Sequence, residues 1–215
     1  MTLLLLIRHG LTDATGKRLS GWTPGVHLSA RGGEQAVRLV ERLAGVRIAA
    51  IYSSPIDRCL ETAAPLAADR RLAVEEREDV GEVRYGSWTN RPIGQLMRTK
   101  TWRLVQQVPS AVRFPDGESL LEVQERAIRE VRRIAAEHSK KTVAVFSHAD
   151  VIKLVIAHFA GLHADLFQRL VVEPTSVSAI GLGDGMPRIF KVNDTGDLSS
   201  LAPARPRVTG RKTGG

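Results

Sequence analysis

The sequence predicts an α/β domain, a mostly parallel sheet flanked by helices in three layers, and three observations carry that prediction. Short unbroken apolar runs such as Leu3 to Ile7 and Thr142 to Phe146 read as strands buried on both faces, the mark of a parallel sheet. Stretches of helical period alternate with them, and no internal repeat of solenoid length interrupts the alternation. The 215 residues suffice for one domain, or a domain and a half, burying roughly 70% of its unfolded surface without staples.

The elements follow in order. After the strand at Leu3 to Ile7, Ser29 begins a helix through Leu43, with Ala36, Val37, Leu39, Val40 and Leu43 as its apolar face. Ala49 to Tyr52 is the next strand. Ser54 then offers an N-cap, Pro55 a first helical residue and Asp57 a charge that complements the helix N-terminus, for a helix reaching Ala68. Val74 to Trp88 reads as loop with a short strand, Arg91 to Val108 as weakly patterned helix, and Pro109 to Ser119 as loop. Leu120, Val123, Ala127, Val131, Ile134 and Ala135 recur at helical spacing. Thr142 to Phe146 is a strand, Asp150 caps an apolar helix that stops at Gly161, and Val177 to Leu182 with Arg188 to Val192 forms a terminal strand pair.

Composition narrows the function classes. With 43% apolar and 25% charged residues the chain is an ordinary globular one. The single cysteine, Cys59, excludes an internal disulfide, and no Cys/His spacing suits structural zinc, so neither metal nor cofactor is expected. The N-terminal apolar run is too short to span a membrane and lacks a basic leader, which points to the cytoplasm. A formal charge of +8 and a pI near 10.2 suggest an acidic partner. Arg205, Arg207, Arg211 and Lys212 supply four of those eight charges, within a Pro/Gly-rich segment, 202–215, expected to be a disordered basic tail after a single domain, 1–201. Elsewhere basic residues alternate with acidic ones and no aromatic ladder accompanies them, so no nucleic acid or membrane partner is expected, while a homodimer stays open.

In open α/β sheets ligands collect beyond the carboxyl ends of the strands. Arg8-His9-Gly10 follows the first strand, Ser53-Ser54-Pro55-Ile56-Asp57-Arg58 the second, and Ser147-His148 the strand at Thr142 to Phe146. Two arginines and two histidines in one crevice repel one another unless an anion sits among them, and the Arg fork matches phosphate oxygens. A neutral imidazole is a competent nucleophile toward phosphorus when its far nitrogen is held by an acceptor, a role open to His9 or His148.

The ordered set of Arg8-His9-Gly10 with Thr12, Ser20-Gly21-Trp22, Leu28-Ser29, Ser53-Ser54-Pro55 with Arg58 and Thr62, Glu82 with Gly86 and Trp88, and Ser147-His148 with Val151-Ile152 closely resembles the histidine phosphatase superfamily, whose fold is phosphoglycerate mutase-like. Phe114-Pro115-Asp116-Gly117-Glu118-Ser119 and Val192-Asn193-Asp194-Thr195-Gly196 look like an actinobacterial-type phosphomutase branch of it. The resemblance implies that His9 accepts the phosphoryl group, that Arg8, Arg58 and His148 hold its oxygens, and that Glu82 donates the proton. Gly21 matches a position whose N–H meets phosphate. Thr15 stands where many relatives have Asn, and Ala149 where they have Gly; both are assigned to the substrate-binding set on that alignment. The expected activity is a phosphomonoesterase acting on a small phosphorylated metabolite through phosphohistidine. A phosphomutase is the runner-up, because the chain is short of the lid segments that exclude water. A noncatalytic phospho-ligand or nucleic-acid module is the reading from another class, and the complete residue set argues against it.

Other signals read as structure. Cys59 has Pro65 six residues on, where a cysteine phosphatase needs Arg, and Gly10 to Gly16-Lys17 is one residue too long for a P-loop, with Arg18 in place of the magnesium-binding Ser/Thr. His27, His138, His158 and His163 have no motif around them, and Trp22, Trp88 and Trp102 read as packing.

Overall fold

The computed structural model describes residues 1–196 of the chain, so the expected domain boundary at 201 and the basic segment 202–215 lie outside the described residues. Six strands, β1 (Thr2–Arg8), β2 (Ile48–Ser53), β3 (Val74–Glu76), β4 (Thr142–Ser147), β5 (Val177–Leu182) and β6 (Arg188–Asp194), form one sheet in the order β3-β2-β4-β1-β5-β6. The first four are parallel, while β5 runs antiparallel to β1 and β6 antiparallel to β5. The expected architecture is therefore the observed one.

Strand alternation divides the core between two faces. Leu4 and Leu6 of β1 join Val143, Val145 and Ile180 beneath helices α5 (Leu120–Glu137) and α6 (Ala149–Phe159). Leu5 and Ile7 join Ala144, Phe146 and Ala179 beneath α1 (Ala30–Arg42) and α2 (Asp57–Arg70). The unbroken apolar runs are explained, because β1 and β4 are central and covered on both sides.

Local chemistry sets the helix starts. Ser29 caps α1, its hydroxyl accepting from Gly32 N–H at 3.2 Å, and Ser119 with Glu122 forms a capping box that opens α5. Two expected starts are corrected. α2 begins at Asp57 after Ile56, because the Ser54 hydroxyl is taken up by His148, and Pro55 precedes the helix. α6 begins at Ala149 with His148 in the cap position, so Asp150 lies in the first turn and not at the cap. Arg91 to Val108 is two helices, α3 (Ile93–Leu96) and α4 (Lys100–Gln107), and the Thr99 hydroxyl between them accepts from Trp102 N–H at 3.1 Å. Val37, expected on the apolar face of α1, is exposed.

The turn after β1 packs backbone against backbone on the first turn of α1. A Cβ on Gly32 would stand 2.0 Å from Leu11 O, and one on Gly10 would stand 2.8 Å from Gly32 O. Gly32→Ala is expected to cost roughly 1–3 kcal/mol, the scale of overpacking against atoms that cannot yield. A chemical-denaturation midpoint equal to that of the parent chain would contradict this contact.

Candidate active site

Neighbouring strands bring the site together. Arg8 at the end of β1 is registered against Ser147 at the end of β4, and His9 N–H donates to Ser147 O at 3.0 Å, so the two loops leave the sheet side by side. Ser54 N–H donates to Phe146 O at 2.9 Å, extending the adjacent ladder by a residue before α2 turns Arg58 inward.

Arg58 is 2% exposed and lies at the centre. Its Nε donates to His9 Nε2 at 3.2 Å, and its Nη2 to Gly21 O at 3.0 Å and to His148 Nδ1 at 3.1 Å. Glu82 Oε2 stands 3.7 Å from Arg58 Nη2 and 3.5 Å from His148 Nδ1.

These partners fix the tautomers. His9 Nδ1 faces Gly10 O at 2.7 Å, and a carbonyl only accepts, so Nδ1 carries the proton and Nε2 presents a lone pair. In His148 the roles reverse, with Nδ1 accepting from Arg58 and Nε2 donating to the Ser54 hydroxyl at 2.9 Å.

Burial first, and Arg58 second, hold both imidazoles well below the usual histidine range, so both are neutral at neutral pH. Burial lowers Arg8 as well, opposed by the charges of Glu82 and Asp150. Glu82 moves the other way. Burial lifts its carboxyl to about 7 against the pull of Arg58, with Asp150 adding to the rise. Cys59 is buried with its thiol pushed up to about 12, and its Sγ lies 3.5 Å from His148 Nε2.

Arg58 Nη1 and Arg8 Nε are buried N–H groups with no acceptor among the described residues. Idle buried guanidinium donors are costly unless an anion answers them. A hollow of about 150 Å³ lined by Arg8, His9, Arg58 and Glu82 adjoins them. A larger hollow of about 570 Å³, beside Met1, Thr2 and Leu182, lies at the opposite end of the sheet.

Of the residues singled out from sequence, His9, Arg8, Arg58, Glu82 and His148 thus share one cluster. Thr15 and Ala149 line the same hollow, although the Thr15 hydroxyl already accepts from Thr12 N–H at 3.0 Å. Gly21 meets the cluster through its carbonyl.

Sequence reasoning missed a layer behind Glu82. Arg126 of α5 donates from Nη1 to Asp79 O at 2.8 Å and Gly81 O at 2.9 Å, and from Nη2 to Glu82 O at 3.0 Å. Its Nε and Nη2 also grip the Glu118 carboxylate, whose Oε2 accepts from Arg84 N–H. Trp22 Nε1 gives Glu82 O a second donor at 2.6 Å. Glu118 was visible in the Gly117-Glu118-Ser119 motif, but nothing in the spacing separates Arg126 from Arg129, Arg132 and Arg133 on the same helix.

A six-stranded α/β sheet whose strand ends gather two arginines, two neutral histidines and a carboxyl near 7 around an anion-sized hollow defines a phosphoryl-handling protein. The comparisons agree: the chain belongs to the histidine phosphatase superfamily (branch 1), whose family model matches residues 4–195. It is 28% identical over 205 residues to phosphoserine phosphatase 1 of Hydrogenobacter thermophilus, covering 94% of this chain and 96% of that protein. It is 30% identical over 200 residues to the adenosylcobalamin/alpha-ribazole phosphatase of Escherichia coli, covering 88% and 95%. Among solved structures, Bacillus stearothermophilus YhfR superposes with a TM-score of 0.85 at 29% identity, over 90% of this chain and 98% of that one. Among the described residues no helix is long and apolar enough to cross a membrane.

Arg126→Met is expected to leave Asp79 O and Gly81 O without their donor, while Glu82 O keeps only Trp22 Nε1 and the Glu118 carboxylate keeps only Arg84 N–H of the donors named above, at a cost of roughly 3 kcal/mol. Equilibrium denaturation measures it, and a loss under about 0.5 kcal/mol, the scale of ordinary surface changes, would show that the clamp is dispensable.

Proposed function

We propose that the protein is a phosphomonoesterase that passes the phosphoryl group of a small metabolite through His9 to water. The observation that carries the reading is the state of His9. Its Nδ1–H is tied to Gly10 O while its unprotonated Nε2, which accepts from Arg58 Nε at 3.2 Å, keeps the lone pair at the hollow, so the ring is neutral, oriented and able to attack once a phosphoryl group takes up Arg58.

His9 Nε2 attacks phosphorus as the ester P–O bond breaks, with Arg8 and Arg58 donating to the non-bridging oxygens and His148, its Nε2–H held by Ser54, keeping Arg58 in place through Nδ1. The leaving oxygen takes the Glu82 proton; an alkoxide departs poorly without one. Glu82, now a carboxylate, deprotonates the water that attacks phosphohistidine. The P–N bond then breaks, inorganic phosphate leaves, and Glu82 and His9 return to their first states. A carboxyl near 7 serves both halves, since it gives and takes a proton at neutral pH.

The relatives named for phosphoserine and alpha-ribazole phosphatase activity support hydrolysis. So does access. The Asp150 side chain in the hollow is 27% exposed, so water reaches the site that a mutase must keep dry. The substrate-binding roles of Thr15, Gly21 and Ala149, and the assignment of residues 1–201 to one catalytic domain, belong to this proposal too.

His9→Ala is expected to abolish turnover with the unfolding free energy kept within about 1 kcal/mol, because it removes the atom that bonds phosphorus. Activity within about tenfold of the parent chain, a gap of only about 1.4 kcal/mol in barrier, would end the mechanism.

Glu82 separates the proton donor from the cage. Its acid form is needed and disappears above pH 7, so turnover of an alkyl phosphate is expected to fall as pH rises through about 7. Glu82→Gln is expected to erase that limb and slow an alkyl phosphate by about 100-fold or more, but p-nitrophenyl phosphate far less, with acid-labile phosphoenzyme accumulating. Single-turnover kinetics on both esters decide it. Equal losses without trapped phosphoenzyme would move the acid to another carboxylate.

A further inference from the structure

We infer that the site is built for phosphomonoesters of short amino alcohols, whose ammonium group is received by Asp150 while the phosphoryl group occupies the arginine and histidine cage. The inference rests on the phosphatase reading above and adds to it the class of alcohol.

Asp150 lies in the first turn of α6 and lines the same hollow as Glu82 and Tyr85. Its carboxylate is not saturated by its neighbours. Oδ2 accepts from Tyr85 Oη at 3.4 Å, and Oδ1 from Lys153 Nζ at 3.4 Å, both at the long end of hydrogen bonding. Lys153 is shared, since the same Nζ donates to Gln168 Oε1 at 3.2 Å. An ionised carboxylate has about four acceptor positions, so Asp150 keeps capacity toward a donor in the hollow.

Beyond the arginine and histidine groups and Glu82, the lining adds one carboxylate, Asp150, and one further arginine, Arg18. Beside Asp150 a second anion on a short alcohol would meet a like charge, a hydroxyl would gain a hydrogen bond to the carboxylate, and an ammonium would gain that bond with both partners charged. The hollow, about 150 Å³, is smaller than the roughly 300–1,000 Å³ of pockets that enclose drug-sized ligands. A short chain therefore brings its far group against this wall. Arg18 also lines the hollow; its Nε is tied to Asn90 O and Oδ1, both at 2.8 Å, while its Nη groups remain open to a carboxylate, so the carboxymethyl ester below is the direct competitor of the amine.

The test is a matched series of esters of equal reach, namely aminoethyl, hydroxyethyl and carboxymethyl phosphate, with p-nitrophenyl phosphate as a gauge of the cage. In the parent enzyme kcat/KM is expected to favour the amine over the hydroxyl by about tenfold, the scale of one charge-assisted hydrogen bond in a partly solvated place, with the carboxylate last. Asp150→Asn is expected to bring the amine to within about twofold of the hydroxyl and to raise the carboxylate relative to both.

Preference for carboxymethyl phosphate in the parent enzyme, or an amine advantage unchanged by Asp150→Asn, would overturn the inference. The parent ranking alone decides it if that variant does not fold. Turnover of p-nitrophenyl phosphate without amine preference refutes the inference and leaves the phosphatase reading standing. No turnover of any ester refutes the phosphatase reading. Calorimetric binding of the three esters to His9→Ala then decides the selectivity by itself, with equal affinities counting against Asp150.

Discussion

Keeping Arg58 charged while it is out of water is the constraint from which the rest of the site follows. A buried guanidinium needs acceptors, and this one finds Gly21 O, His9 Nε2 and His148 Nδ1, with the Glu82 carboxyl nearby. Each partner is changed in turn. Two imidazoles facing a fixed positive charge cannot gain a proton cheaply, so they stay neutral. The carboxyl is torn between desolvation, which raises it, and Arg58, which lowers it, and it settles near 7. One cation thus keeps two imidazoles neutral and a carboxyl near 7, while its own Nη1 has no acceptor among the described residues.

The surroundings serve to hold this arrangement in register. The Arg8 and His148 loops hang from the central ladder of the sheet. Glu82 has no strand beneath it, since its segment is a 3-10 turn at Glu78–Val80 followed by irregular chain. Arg126 and Trp22 supply what the sheet does not, binding the carbonyls of residues 79, 81 and 82. Gly117, where a Cβ would stand 2.2 Å from Arg84 O, lets the loop before α5 close against the same segment.

The strands were legible because burial on both faces leaves a plain trace: Val177–Leu182 matches the sequence reading residue for residue, and β1 and β4 differ only at their ends. The start of α2 was misread because Ser54 has two suitors. A capping role was the local choice, and the imidazole of His148, 94 residues away, won it. Arg91 to Val108 broke into two helices around Thr99, where a hydroxyl cap competed with weak helical patterning. At the site, the arginine and histidine pairs could be placed together from strand ends alone. Glu82 could not be told from Glu75, Glu76, Glu78 and Asp79 by spacing, and the resemblance chose it. Burial is what separates them, and burial is a property of the fold. Asp150 was read as a cap for the same reason that it lies in the hollow, its place beside the first turn of α6.

The pairing of Arg8 with Ser147 gives the protein little freedom to fray at its most important point. Loops that close over ligands usually come from the least stable parts of a structure, which open and shut without disturbing the rest. Here the two histidines leave adjacent interior strands covered by helices on both faces. Separating His9 from His148 requires parting β1 from β4, the seam along which the whole sheet is joined. Heat therefore has no inexpensive way to disable the cage: its geometry lasts as long as the cooperative unit does, and the two are lost together.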